Sequence, residues 1–320
     1  MKILLAGGAG YVGTELADLL VKHKHSVDIY DTCLLGNNVS GGINVIKKNV
    51  FEISDNDVKK YDAAIFLAGL SNDPMANFSP TKNFIENTAV PIYLAYLCKQ
   101  NNIEKFVFAS SCSVYGFTNN EPISENDNPK PQYPYGISKL AAEAAIMNLT
   151  DYHFRPICLR KGTIGGYSKR MRFDLVVNTM VKSSLLTKKI HVNNPNIWRP
   201  LIDIRDVCDA YVKAVECDTS VSGVYNILED NYTIGDLARI IQNTLREYGY
   251  DVDIETSASD DIRNYKATKS KAKAELKFEA SYLPKDTVTS ILDNVGQFTN
   301  LNDPKYYNIQ VMKKVSENEW

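Results

Sequence analysis

Two short stretches carry side chains that can move a proton. One is Ser110-Ser111-Cys112-Ser113-Val114-Tyr115-Gly116, directly after the apolar run KFVFA at 105–109. The other is Tyr135-Gly136-Ile137-Ser138-Lys139, which opens an alanine-rich stretch of helical pattern reaching Leu149. Tyr135 and Lys139 are four apart and so share one helical face. An ammonium and a cofactor ribose beside a phenol lower its pKa and make it an acid/base near neutrality. A serine hydroxyl across the pocket, Ser111, would bond the substrate oxygen whose proton moves. Taken alone, the Tyr-x-x-x-Lys spacing describes many surface pairs. The serine cluster and a nucleotide-binding turn upstream make it a catalytic candidate.

That turn lies at the chain start, KILLAGGAGYVG at 2–13. An apolar strand runs into Gly7, Gly8, Gly10 and Gly13, and a helical pattern follows with Leu16, Leu19 and Leu20. Glycines let the backbone turn tightly against a pyrophosphate. The helix start, through Gly10, Tyr11, Val12 and Gly13, offers free N–H groups and a positive dipole end. Asp31 ends a second strand, VDIYD, about 20 residues on, where a ribose-binding carboxylate belongs. A carboxylate there accepts ribose hydroxyls and repels a 2′-phosphate. Cys33 and Leu34 follow with no Arg in sequence to reverse that choice, so the expected cofactor is NAD.

The elements that must position these residues alternate strand and helix through the first half. Strands are expected at 26–30, 44–47, 63–68, 105–109 and 156–159, with long helices at 81–100 and 135–149, a short one at 54–60 capped by Ser54, and a loop at 116–134. This is the pattern of a parallel sheet covered on both faces. Later segments are less regular. Helices are expected at 174–186, 206–216, 233–248 (capped by Thr233), 269–275 and 286–298, with strands at 224–227 and 252–255. The tail 303–320 is polar. A net charge of −2 gives no reason to expect a nucleic-acid partner. The six cysteines are scattered and the four histidines lack ligand spacing, which fits a reducing cytosol and no metal. No apolar run approaches 18 residues, so no membrane span is expected and a cytoplasmic location is.

With GGAGYVG (7–13), Asp31, LAG (67–69), Asn87, SSCSVYG (110–116), YGISK (135–139) and WRPLIDIRDV (198–207), the chain resembles the extended short-chain dehydrogenase/reductase family, in its nucleotide-sugar epimerase/dehydratase branch. The resemblance covers nearly the whole chain. It implies an α/β fold: a Rossmann-type doubly wound parallel sheet over 1–163 and about 196–220, a smaller nucleotide-sugar lobe over 164–195 and 221–300, and a tail at 301–320. It implies tightly held NAD, contacted by the glycine turn, Asp31, Asn49, Val50, Leu67, Ala68, Gly69 and Asn87. Ser111 would bond the sugar hydroxyl, Tyr135 act as base, and Lys139 hold the nicotinamide ribose. Ser71, Cys112, Ser113, Thr163, Arg172, Asn178, Arg199 and Arg263 would contact a nucleotide-diphosphate sugar. A homodimer or higher oligomer through the two long helices is also implied.

Departures from the family pattern narrow the chemistry. The 4,6-dehydratases of the family carry Asp and Glu where this chain has Cys112 and Ser113, which argues against dehydration. Asn49 replaces an Asp common at the end of the third strand. Thr163 stands where typical 4-epimerases have Asn. The segment 169–178, with Asp261 and Arg263, resembles a subgroup that includes enzymes oxidising C4 of a GDP-heptose. The leading expectation is a 4-epimerase working through a 4-keto sugar. A 4-dehydrogenase or 4-keto reductase is the alternative, and a non-catalytic dinucleotide sensor, which would need no Tyr/Lys pair, is the remote one.

Overall fold

The structure, a computed structural model, describes residues 1–118, 121–257 and 263–316. In chain order its first part comprises β1 (Lys2–Ala6), α1 (Tyr11–Lys22), β2 (Ser26–Asp31), β3 (Asn44–Lys47), α2 (Asp55–Val58) and β4 (Ala63–Phe66). Then come α3 (Asp73–Phe78), α4 (Pro80–Phe84), α5 (Val90–Gln100), β5 (Lys105–Ser111), β6 (Pro122–Ile123), α6 (Pro134–Asn148) and β7 (Arg155–Lys161). The remainder is β8 (Thr163–Gly165), α7 (Val176–Thr187), β9 (Lys189–Asn193), β10 (Trp198–Asp203), α8 (Ile204–Glu216), β11 (Gly223–Ile227), β12 (Asp230–Thr233), α9 (Ile234–Glu247), β13 (Asp253–Ser257), β14 (Lys266–Ala267), α10 (Ser270–Glu275), α11 (Pro284–Leu292) and α12 (Asn308–Ser316).

Seven strands form one sheet in the order β11-β7-β5-β4-β1-β2-β3, every neighbouring pair parallel. The chain leaves β1 first towards β2 and β3, then returns through β4, β5 and β7 on the other side. That reversal opens a crevice at the carboxyl ends of β1 and β4, where ligands of open parallel sheets bind. The strands are apolar throughout because both faces are covered. Ile3 and Leu5 of β1 pack with Leu16 and Leu20 of α1 and Tyr211 of α8. Leu4 and Ala6 face the opposite cluster, with Leu94 of α5 and Ala142 and Ile146 of α6.

Several expectations change in the folded chain. The strand at 224–227, expected in the second segment of the lobe (221–300), is β11, the outer strand of the main sheet beside β7. A strand's partner is not written in its own residues, whereas its fully buried Tyr225 and Ile227 are explained by the sheet they join. Residues 196–203, expected with the main sheet, instead supply β10 to a three-stranded sheet, β12-β10-β8. The helix expected over 81–100 is interrupted by a π turn at Ile85–Ala89, where the Val90 N–H reaches the Ile85 carbonyl. Pro91 has no N–H for the Asn87 carbonyl, so the regular ladder cannot run through. The loop at 116–134 includes β6, paired with β14. The Thr233 cap forms as expected, accepting the Asp236 N–H at 3.0 Å.

The polar tail is also structured over its described part. Tyr306 packs edge-on to Phe173 and Phe298, the Phe173 N–H donates to the Tyr306 carbonyl at 3.1 Å, and Met312 of α12 packs with Leu70 and Met75.

Candidate active site

Ser111 is the last residue of β5 and caps a 3-10 turn at Cys112–Tyr115. Its Oγ accepts the Ser113 N–H at 3.1 Å and donates to Ser113 Oγ at 3.1 Å. The start of α6 is pressed against this turn: a Cβ on Gly136 would lie 2.6 Å from the Ser113 carbonyl oxygen. Pro134 at the first helical turn, after extended Tyr133, pre-sets the entry of α6. This close approach brings the Tyr135 side chain near enough to Ser111 for the serine hydroxyl to draw the phenol's pKa down. One turn on, Lys139 Nζ lies 5.8 Å from the Tyr135 ring centre and 5.0 Å from that of Phe108.

The electrostatics differ from the expectation that the ammonium would lower the phenol. Burial pushes the Tyr135 hydroxyl up, as does the charge of Asp73, while the Ser111 hydrogen bond and Arg172 pull it down. Burial also holds Lys139 down to about 7, so near neutrality the amine carries only part of its charge. Lys139 therefore costs stability while protonated in the fold. The unfolded chain keeps that proton up to about 10.4, so Lys139 adds stability as pH rises from 7 towards 10. The expected result is a larger gain in urea resistance between pH 6.5 and pH 9 for the native chain than for Lys139→Met. Equal gains would remove Lys139 as the cause.

The glycine turn is locked against the end of β4. Gly7 has φ of +80°, and a Cβ there would sit 2.4 Å from the Ala68 nitrogen. Gly10 caps α1 with no side-chain partner, and the first turn has no acidic residue, so its N–H groups suit an anion. Asp31 stands beside it, its carboxylate accepting the Ala9 N–H at 3.0 Å and the Cys33 N–H at 2.7 Å. Leu67, Ala68 and Gly69 continue β4 along the crevice floor. Buried Asn87 donates to the Leu70 carbonyl at 2.9 Å and to Asn83 at 2.7 Å, and its Oδ1 has no partner among the described residues. Val50 is buried at the rim and Asn49 caps its short turn by accepting the Phe51 N–H at 3.0 Å. An uncapped helix start, a ribose-ready carboxylate and an orphaned buried acceptor fit a dinucleotide.

Residues 3–227 match the NAD dependent epimerase/dehydratase family. The chain belongs to that family. Similar curated proteins include UDP-glucose 4-epimerase of Lacticaseibacillus casei, 31% identical over 52% of each chain. That of Streptococcus mutans is 29% identical over 52% of this chain and 53% of its own. The chain spans about half the length of these curated relatives. Among solved structures, UDP-glucuronic acid 4-epimerase from Bacillus cereus aligns with a TM-score of 0.82 at 24% identity, over 93% of this chain and 99% of its own. UDP-glucose 4-epimerase from Thermotoga maritima aligns with 0.81 at 20%, over the same shares. These likenesses establish the fold.

In this member of the family the expected sugar-nucleotide residues divide into two groups. Arg199 and Arg263 come together over the cleft: Arg199 donates to the Arg263 carbonyl, and Arg263 forms an ion pair with Asp73. Arg199 also lies 5.3 Å from the ring centre of Tyr265, whose hydroxyl is pushed up by burial and drawn down by Arg199 and Ser113. Ser71 Oγ accepts from Asn308 Nδ2 at 3.0 Å, and Thr163 is partly exposed on β8. Arg172 is held in a two-point pair with Asp174, both bonds 2.9 Å, and its charge reaches Tyr135.

Two residues do not face the cleft. Cys112 is fully buried, its thiol donating to the Arg160 carbonyl at 3.1 Å and pushed up to about 12 by burial. The 3-10 turn reverses the strand alternation and points it into the domain. Asn178 spends its amide inside the chain, on the Gly166 N–H at 3.0 Å, the Arg172 carbonyl at 2.8 Å and the Tyr11 hydroxyl at 3.2 Å. Tyr11 in turn donates to the Gly166 carbonyl at 2.6 Å. Its hydroxyl therefore ties the glycine turn to the loop after β8. Asp261 lies outside the described residues.

Sequence reasoning missed Asp73, Tyr265 and Lys161. Lys161 ends β7 in register with Ser111 and donates to Tyr211 at 2.9 Å. The strand expected to end at 159 stopped two residues short of it, and extending that strand to its last residue would have found it. Asp73 and Tyr265 stand in segments without periodicity. Among the described residues, no helix is long and apolar enough to cross a membrane, and no group of His, Cys, Asp and Glu is arranged to hold a metal.

Proposed function

We propose that the chain is an NAD-dependent nucleotide-sugar 4-epimerase. The observation that carries this reading is the Ser111–Tyr135–Lys139 arrangement at the carboxyl end of β5, beside the glycine turn. Tyr135 takes the proton of the C4 hydroxyl while Ser111 holds the oxygen. Bound NAD supplies a hydride acceptor that can return the hydride. Lys139, drawn down to about 7 by burial, sits where it can hold a ribose hydroxyl and carry a proton onward. Arg199 and Arg263, at the lobe side, suit a diphosphate. Buried Cys112 and the hydroxyl of Ser113 supply no acid/base pair for loss of water, which disfavours dehydration. A homodimer is part of this reading: Phe84, Ile85, Tyr96 and Ile137 expose apolar surface along the two long helical segments, and light scattering of the purified chain at monomer mass would remove it. A cytoplasmic location is also part of this reading, and the six unpaired cysteines support it.

A panel of nucleotide sugars, supplied in deuterium oxide without added cofactor and followed by NMR, tests the activity. The expected product is inverted at C4, with no solvent deuterium on carbon and no net NADH. An enzyme that accumulates NADH and turns over only when a keto sugar or keto acid is added is a 4-dehydrogenase or reductase instead.

A further inference from the structure

The loop after β8 is laid along the first turns of α1. Ser168 Oγ donates to the Tyr11 carbonyl at 2.7 Å, the Lys169 N–H donates to Glu15 at 2.9 Å, and the Arg170 N–H reaches back to Ser168 Oγ at 3.3 Å. This brings the Arg170 guanidinium, 2% exposed, into the neighbourhood of Asp31, Arg172 and Asp174. One of its amino groups donates to the Lys305 carbonyl at 3.4 Å. Its Nε and Nη1 have no partner among the described residues. A buried arginine with two open donors calls for an explanation, because unpaired buried donors cost free energy. The two open donors lie on different edges of the guanidinium, so each can give a single charge-assisted bond to an anionic oxygen. Beside it stand the uncapped start of α1, which favours the same charge, and Asp31, which suits the neighbouring ribose.

We propose that Arg170 is a diphosphate-binding arm for the dinucleotide, one of its open N–H donors bonding a phosphate oxygen held at the start of α1. The proposal rests on the NAD reading of that crevice. It reverses the sequence expectation that no arginine stands near Asp31: Arg170 arrives through the fold, from the loop after β8. It also gives the lobe-side loop and the tail carbonyl of Lys305 a stake in cofactor retention, since both hold the arginine in place.

The test is calorimetric binding to the full chain and to Arg170→Met, with NAD+, ADP-ribose and adenosine as titrants. UDP and GDP form a separate arm, because a nucleotide sugar carries a diphosphate too. Loss of a charge-assisted bond predicts at least about a tenfold weaker hold on NAD+ and on ADP-ribose. Adenosine, UDP and GDP should bind as they do to the native chain. Melting without ligand should be unchanged or higher, because an unpaired buried charge is gone. Arg170→Lys, whose shorter ammonium arm lacks the guanidinium's reach and directed donors, should lose NAD+ affinity as well and decides the matter if the Met variant does not fold. Native affinity for NAD+ in both variants overturns the proposal, as does weakening confined to UDP or GDP, or equal weakening for adenosine. A native chain that takes up no dinucleotide overturns the NAD reading together with it.

Discussion

Turnover of a nucleotide sugar by Tyr135→Phe is expected to fall by at least ~10²-fold, and up to ~10⁴-fold, the range set by losing a positioned acid/base. Only the hydroxyl leaves. The ring stays half-buried at the start of α6 and Lys139 remains against Phe108, so the fold and NAD binding should persist. The comparison with Ser111→Ala is informative. In the proposed mechanism Ser111 holds the reacting oxygen beside the phenol, so its loss should weaken both positioning and proton transfer, and the two losses should not add in the double variant, because the groups would act as a unit. Rates from a stopped assay, beside NAD content and thermal melting, check this. A well-folded, NAD-loaded Tyr135→Phe protein turning over at the native rate would end the assignment.

Replacing Glu143 by Ala should destabilise the chain by about 3–5 kcal/mol, the cost of stranding the partner of a buried ion pair. Arg160 is paired with Glu143 by two hydrogen bonds, and a third goes to the Tyr115 hydroxyl at 2.9 Å. Ser110 Oγ donates to Glu143 at 2.8 Å, and Tyr115 donates to Asn226 at 2.6 Å. Arg160 and Glu143 are each 3% exposed. Without the carboxylate, the guanidinium stays charged and unsolvated. Replacing both residues by Met should recover much of the loss, because apolar packing avoids desolvating either charge. Urea unfolding of the three variants measures the sequence of effects, and a single variant costing under about 1 kcal/mol would show that water or a neighbour takes the carboxylate's place. The network has a functional consequence too. It joins β5 next to Ser111, α6 one turn beyond Lys139, and β7 and β11, so it fixes the distance between the serine turn and the Tyr135 helix. Glu143→Ala should lower turnover even where the protein remains folded.

Local pattern was enough to read the sheet's inner strands, the glycine turn and the Tyr135/Lys139 pair. The reason is physical: a strand buried on both faces must be apolar along its length, and a four-residue helical spacing fixes a shared face whatever surrounds it. Asp31 could be placed for the same reason, since a short strand carries it to the sheet's carboxyl edge. The outer strand β11, the π turn before Pro91 and the docking of the tail through Tyr306 and Met312 depended on partners far along the chain, and no residue names its partner.

The site divides in the same way. Which groups could do chemistry was written in the sequence, because side-chain type and spacing determine it. Their protonation was not, because it depends on burial: the fold raises Tyr135 and lowers Lys139, where adjacency alone suggested that the lysine would lower the tyrosine. Orientation was likewise a tertiary matter. The 3-10 turn after Ser111 turns Cys112 inward while leaving Ser113 at the cleft, and Asn178 is consumed by the backbone it supports. Proximity across the chain decided the rest. Asp31 has no arginine beside it in sequence, and the loop after β8 folds over α1 to supply Arg170, since hydrogen bonds from Tyr11 and Ser168 leave that loop nowhere else to lie.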